Sequence, residues 1–274
     1  MNALMYHDVV AAGDENSSGF PGRDAALYKV TPEVFEEHLD AIERMLSTRG
    51  VIAACPAPVT HSANPASPAP VVTFDDGGSG AMTAAAMLER RGWMGHFFVT
   101  TNYIGRRGFL GEQEISDLAR RGHVIGSHSC SHPLRMGHCA WPQLLEEWSR
   151  SRSILAGIIG ADVCEASVPG GDFAPQLAAA AAKAGITRLF TSEPTGEARY
   201  AFGLTLVGRF AVQRWTGAET AAALAAGDWG PCARQAVIWS AKKMTKRLGG
   251  QRYLQIRRLL LRHGDDVQWG DTKG

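Results

Sequence analysis

The sequence predicts an α/β protein assembled from repeated strand-helix units, and three observations carry that prediction. Short apolar runs alternate with longer stretches whose apolar residues recur at helical spacing. The 274 residues, 45% of them hydrophobic, suffice to bury one full core with chain left over. Finally, the residues best suited to chemistry follow directly after apolar runs, where a parallel sheet gathers its active-site groups.

The elements follow in chain order. Leu4-Met5-Tyr6 reads as a short strand ending at His7 and Asp8. A Gly- and Ser-containing loop from Ala11 to Leu27 is long enough to lie over a pocket or to run free on the surface. Thr31-Pro32-Glu33 then forms an N-cap, a first-turn proline and an acidic start, with Phe35, Leu39, Ile42 and Leu46 on one face of a helix reaching about Arg49. Residues 54–70, rich in Pro, Ala and Ser, predict an irregular connection. Val71-Val72-Thr73 is an interior strand, Ser79 to Arg91 a helix and Gly95 to Val99 a buried strand. Helices are expected at Ile115–Arg121, Leu144–Ile159 and Pro175–Ala184, with strands at Val124–Ser127, Cys164–Val168 and Leu189–Ser192.

Two motifs stand at the ends of these strands: Thr73-Phe74-Asp75-Asp76-Gly77, and His128-Ser129-Cys130-Ser131-His132. Asp76, His128 and His132 are the donor types of a zinc-like divalent site that keeps a further position open for water or substrate. Such an ion acidifies water and polarises a carbonyl, which leaves Asp75 free to act as a base. Neighbouring side chains on an extended chain point to opposite faces, so this division of labour requires the strand to unwind near Gly77-Gly78. Taken alone, Asp-Asp-Gly reads first as a turn motif, and two histidines four apart could be a helical surface pair. Pro133 and the surrounding glycines and serines favour a strand-end turn for the histidines.

TFDDG followed by H-[ST]-x-x-H resembles the first two motifs of the polysaccharide deacetylases, the NodB-type domain of carbohydrate esterase family 4. The resemblance implies a distorted (β/α) barrel of about seven parallel strands, one divalent metal (zinc, with cobalt or nickel as alternatives) and removal of acetyl groups from a sugar. By matching motifs, Asp75 would be the catalytic base, and Asp76, His128 and His132 the metal ligands.

Two departures from the family pattern follow. The late Leu-x-His motif, whose histidine protonates the leaving amine, has no counterpart in Leu204–Phe210. Instead Tyr6-His7 resembles the circularly permuted branch of the family, in which the histidine motif opens the domain. First and last strands of a barrel are neighbours, so His7 becomes the candidate acid, with Asp8 as a candidate partner for its ring. The third motif reads Ser167-Val168-Pro169-Gly170-Gly171-Asp172 and lacks its usual arginine. Pro169, Gly170, Gly171 and Asp172 are expected to bind substrate, with backbone N–H groups around Gly171 and Asp172 holding the oxyanion. Arg188 and Arg209 are the candidates to replace the missing arginine.

Remaining features bound the setting. Cys55, Cys130, Cys139, Cys164 and Cys232 are odd in number and lack a CxxC pair, against a disulfide scaffold. Met1-Asn2-Ala3 leads straight into the first strand without a signal-peptide pattern, and no apolar run reaches membrane-spanning length. A cytoplasmic protein is therefore expected. His96 reads as a core or supporting histidine, His123 and His138 as loop residues, and Tyr103 and Trp141 as candidate sugar platforms or rim residues.

Between Trp229 and Gly264 there are nine Lys or Arg and no Asp or Glu. This basic, partly amphipathic segment suits the inner face of an anionic membrane, or a helix packed on the barrel with its charges in water. No nucleic-acid reader accompanies it. The expected organisation is a barrel over residues 1–215 and a basic helical extension over 216–274. The expected activity is N-deacetylation of a sugar or glycan precursor in surface polysaccharide synthesis. The alternatives are an O-acetyl ester or another amide as substrate, or a weakly active carbohydrate-binding protein.

Overall fold

A computed structural model describes residues 2–50 and 70–241. The expected connection at 54–70, save Pro70, and the basic run beyond residue 241 lie outside the described residues. The elements are β1 (Ala3–Tyr6), β2 (Asp8–Val9), α1 (Arg23–Ala26), β3 (Lys29–Val30), α2 (Pro32–Thr48), β4 (Val71–Phe74), α3 (Ala81–Glu89) and β5 (Gly95–Val99). They continue as α4 (Glu112–Arg120), β6 (Val124–Ser127), α5 (Trp141–Ile159), β7 (Glu165–Ser167), α6 (Pro175–Lys183), β8 (Arg188–Phe190), β9 (Ala198–Ala201), β10 (Leu204–Val207), β11 (Arg209–Ala211) and α7 (Ala218–Ala226).

The helices form for the reasons their sequences state. Thr31 Oγ1 accepts from Val34 N at 3.3 Å, Pro32 opens α2, and Phe35, Leu39, Ile42 and Leu46 are buried on one face. Truncating one of these to alanine costs about 2–5 kcal/mol. α5 ends at Gly160, whose φ of 69° is the left-handed stop that an L side chain resists.

The main sheet runs β11-β1-β4-β5-β6-β7-β8-β10-β9, parallel throughout except for the antiparallel β9 at one edge. Its ends meet through the chain itself. β10 pairs with β8, and after Gly208 alone the chain continues as β11 and pairs with β1, with Ala3 opposite Arg209 and Met5 opposite Ala211. One bent strand thus supplies the last stave, giving a seven-staved parallel barrel with β9 as a flange. The late run Leu204–Phe210, expected only as a motif-bearing stretch, forms this stave. A separate pair, β2 with β3, was not expected. Between the strands and α2, Phe74 stacks on Phe97 with centroids 5.0 Å apart, and Tyr6 meets Phe35 edge-on at 5.1 Å.

The expected extension over residues 216–274 begins, among the described residues, with α7. α7 packs against α2 and β1, and Asn2 donates to Leu224 O at 2.9 Å, so α7 belongs to the helical layer of the barrel. A further helix over residues 229–241 lies along the seam, where the Gln235 amide exchanges two hydrogen bonds with the backbone of Ala211, at 2.9 and 2.8 Å. That amide stands in for a neighbouring strand.

Candidate active site

β4 lies between β1 and β5 and is almost wholly buried, which is why its sequence is apolar without alternation. Beyond it the chain turns at Asp76, whose φ is 76°. The strand therefore unwinds at the aspartate itself, one residue earlier than the glycines suggest. A left-handed φ at a non-glycine residue costs on the order of 1–3 kcal/mol and concentrates at functional positions. Gly77 follows with φ 84°, and a Cβ there would lie 3.1 Å from Val99.

The histidine loop leaves the end of β6, with His128 N donating to Val99 O at 2.9 Å. Ser129 and His132 also have positive φ, 65° and 55°. The buried carboxylate of Glu147, on α5, clamps the loop from behind by accepting from Cys130 N at 2.8 Å, Ser131 N at 2.9 Å and Ser131 Oγ at 2.5 Å. The clamp brings three donors together: Asp76 Oδ1 lies 3.4 Å from His128 Nε2 and 3.6 Å from His132 Nε2. All three ligand atoms fall within 4.8 Å of one another. Donors at about 2.0–2.2 Å from one ion stand roughly 3.4 Å apart in a tetrahedral shell, so the set fits a zinc-type cation. Burial and the adjacent His128 depress His132 to about 4, leaving it at neutral pH in the unprotonated form that a metal binds.

Asp75 faces a different set of partners. Arg209, at the start of β11 and fully buried, grips it with both arms: Nη1 to Oδ1 at 2.7 Å and Nη2 to Oδ2 at 2.8 Å. Arg209 also donates to Thr73 Oγ1 at 2.9 Å and Thr191 O at 3.1 Å. Burial alone would push the Asp75 carboxyl up; Arg209, then His128 and His7, outweigh it and hold the group below its usual range. Of the two candidates for the missing arginine, Arg209 lies on Asp75. Arg188 pairs with Glu165, which also contacts His96 at 2.7 Å, the supporting role expected for that histidine.

Ser167, at the position of the family's third-motif arginine, bridges the two halves. Its hydroxyl donates to Asp75 Oδ1 at 3.0 Å and lies 2.5 Å from His128 Nδ1. An Nδ1–H held there leaves Nε2 bare for a ligand, the usual arrangement around a metal-binding histidine.

His7 follows β1 on the same rim, stacked on Tyr28 at 4.6 Å, and its buried Nδ1 has no hydrogen-bond partner among the described residues. Burial lowers its pKa, with Asp76 and Asp75 pulling the other way. Asp8 does not orient the ring. Its carboxylate accepts from Ser18 Oγ at 2.5 Å and Val9 N at 3.0 Å, tying down the loop between β2 and α1. Buried Lys29 fastens the same loop by donating to the carbonyls of Glu15, Ser18 and Phe20 at 2.5–2.7 Å. The loop therefore does lie over the site: Phe20 packs on the His132 ring at 4.8 Å and meets Tyr103 at 4.8 Å. Trp141 opens α5 and is half exposed.

Pro169–Gly171 form a single tight turn, and the expected oxyanion donors are engaged within it: Gly171 N donates to Val168 O and Asp172 N to Pro169 O. The Asp172 carboxylate turns away to Gly137 N at 3.1 Å and His138 Nδ1 at 3.2 Å. Neither the two N–H groups nor this carboxylate is offered to the Asp-His-His set. His123, expected in a loop, is buried; its ring accepts from Gly95 N at 3.1 Å and contacts Glu89 at 2.9 Å. Sequence reasoning missed Glu147, Ser167 and Lys29, since a charge within a helix or a serine in a strand carries no local sign of its partner.

A parallel barrel with an Asp-His-His set and a guanidinium-paired carboxylate at its strand ends has the framework of the barrel deacetylases. The polysaccharide deacetylase family model matches residues 63–189. A Bacillus subtilis (strain 168) protein, YxkH, named as a candidate polysaccharide deacetylase, is 24% identical over 201 residues, covering 72% of this chain. This chain spans 66% of the length of that relative. Among solved structures, the polysaccharide deacetylase BC0361 of Bacillus cereus superposes with a TM-score of 0.64 at 19% identity, over 82% of this chain and 68% of its own. A de-N-acetylase from Aggregatibacter actinomycetemcomitans gives 0.58 at 17% identity, over 79% and 96%. Residues 63–189 thus match the polysaccharide deacetylase family, and the chain as a whole shares the fold of the solved deacetylases. The matched segment contains Asp75, Asp76, His128 and His132; His7 and Arg209 lie outside it and join the site through the fold.

Proposed function

We propose that the protein hydrolyses the N-acetyl group of a sugar or glycan precursor in surface polysaccharide synthesis, acting on the cytoplasmic side. The observation that carries this reading is Asp75, ionised by Arg209 and set beside the Asp76-His128-His132 donor set across Ser167. Asp75 Oδ1 accepts from Arg209 and Ser167, whereas Oδ2 accepts from Arg209 alone, which leaves a lone pair for a proton. In the proposed reaction Asp75 takes a proton from water as the water oxygen joins the acetyl carbon. His7, neutral at rest because burial lowers its pKa, then passes the proton released from the water on to the sugar nitrogen as the C–N bond breaks, giving acetate and a free amine. A divalent cation held by Asp76, His128 and His132, zinc or else cobalt or nickel, supplies Lewis acidity toward the carbonyl and acidifies water. The need to protonate a poor amine leaving group gives His7 a purpose that an ester would not require, and the solved relative named a de-N-acetylase supports the same preference.

Acetate release from matched N- and O-acetylated glycans tests the reading. We expect faster release from the amide, loss in chelator with recovery on added zinc, cobalt or nickel, and a roughly 10²–10⁴-fold fall for both Asp75→Asn and His7→Ala. Full activity in Asp75→Asn would sink the mechanism, and full activity in His7→Ala would remove the acid from this position.

A further inference from the structure

The small parallel pair of β2 and β3 sets two rings face to face. Asp8 stands opposite Lys29 in its register, and the ladder runs on at both ends: Val10 N donates to Val30 O at 2.9 Å and His7 N to Tyr28 O at 3.2 Å. His7 and Tyr28 therefore form the next rung. Side chains alternate along a strand. Asp8 and Lys29 accordingly reach the loop between β2 and α1, while His7 and Tyr28 share the other face, ring on ring at 4.6 Å with 23° between their planes.

An imidazole that passes a proton needs its tilt fixed, and a hydrogen bond to the nitrogen not in use ordinarily does this. His7 has no such bond, since its Nδ1 is buried and unpartnered among the described residues. The carboxylates around it are committed elsewhere: Asp8 to Ser18 and Val9, Asp75 to Arg209 and Ser167, and Asp76 to the group it forms with His128 and His132. Tyr28, by contrast, is held fast. Its N–H donates to Ala25 O at 3.1 Å, Arg214 N donates to the preceding Leu27 O at 2.8 Å, and the buried Lys29 follows it.

We propose that Tyr28 is the positioning residue of His7: its ring fixes the tilt of the imidazole in place of a hydrogen-bonded carboxylate, and its electron-rich face favours the imidazolium that forms as the proton passes to the sugar nitrogen. A cation within about 6 Å of a phenol face is stabilised, the more so away from water. The proposal rests on the reading of His7 as the acid. The contact is made by the ring and not by the hydroxyl, so phenylalanine at this position would serve as well.

Two variants of the full chain test this: Tyr28→Leu keeps an apolar side chain and removes the π face, whereas Tyr28→Phe removes only the hydroxyl. Acetate release is compared on an N-acetylated glycan and on para-nitrophenyl acetate, whose phenolate leaves without being protonated, so that proton delivery is separated from general damage. We expect the ratio of amide to ester turnover to fall about 5–30-fold in Tyr28→Leu, in kcat rather than KM, and to be restored in Tyr28→Phe. Independently of turnover, a His7 ring proton, identified by its loss from the nuclear magnetic resonance spectrum of His7→Ala, should resonate upfield in wild type and Tyr28→Phe and move downfield in Tyr28→Leu as the ring current is lost. An unmoved resonance overturns the proposal, as does a Tyr28→Phe as impaired as Tyr28→Leu, or an unchanged ratio in Tyr28→Leu while His7→Ala has lost amide turnover. Full amide turnover in His7→Ala overturns the acid reading itself and the part of Tyr28 with it, whatever the ring current reports of the contact.

Discussion

Replacing Arg209 with methionine keeps much of the side-chain volume and deletes the guanidinium. Its four hydrogen bonds disappear, and the Asp75 carboxylate, itself 3% exposed, is left without its main counter-charge. An exposed ion pair would be worth no more than about 1 kcal/mol. Here Arg209 is fully buried, which places the pair among those whose breakage costs about 3–5 kcal/mol. For a chain of this size that corresponds to a fall in melting temperature on the order of 10 °C. The assay is urea and thermal denaturation followed by circular dichroism, in chelator so that bound metal adds nothing. Asp75→Asn should cost a comparable amount, because it leaves a guanidinium buried without its counter-charge. The double variant should cost less than the two singles together by at least about 2 kcal/mol. A single variant within about 1 kcal/mol of wild type, or strict additivity, would refute the pairing and with it the role given to Arg209.

Glu147→Ala removes the clamp behind the histidine loop and is expected to weaken metal affinity about 10–100-fold by competition with a chromophoric chelator; unchanged affinity would show that the loop holds its shape unaided. Glu165 carries a pH signature. Burial alone would raise its carboxyl, but His96 and Arg188 outweigh it, so the folded-state pKa lies below the ordinary value. Its stabilisation is therefore complete above that ordinary value and fades as pH falls through the range below about 4.3. Glu165→Gln should melt lower at neutral pH and lose less stability than wild type on acidification; parallel melting curves would remove this linkage.

The parts of the site that were legible in the sequence are those whose geometry is local. Asp75-Asp76-Gly77 and His128–His132 each state a strand end, a turn and a donor set within five residues, and His7 announces itself at the end of the first apolar run. Arg209 could be named only as a candidate, because its contact with Asp75 depends on how the last stave meets the first. Gly208 divides that stave into two short strands, which hid it from a search for apolar runs. Glu147 reads as one more solvated charge on a helix, since nothing within α5 reveals the N–H groups it faces. At Pro169–Gly171 the sequence states that the backbone will bend, but not that Gly171 N and Asp172 N donate within the bend itself.

The bent stave ties the timing of folding to the assembly of the site. A Cβ on Gly208 would fall 2.4–2.6 Å from Thr195 and Glu193, so the hand-over between β8 and β1 tolerates no side chain. Until that hand-over is made, residues 73–75 lack the guanidinium that the chain supplies more than a hundred positions later. A nascent chain that has already emerged with Asp76, His128 and His132 thus still lacks the residue that pairs with Asp75. Closure of the barrel and the pairing of Asp75 with its counter-charge are one event, so a molecule that has not closed leaves that carboxylate unpaired.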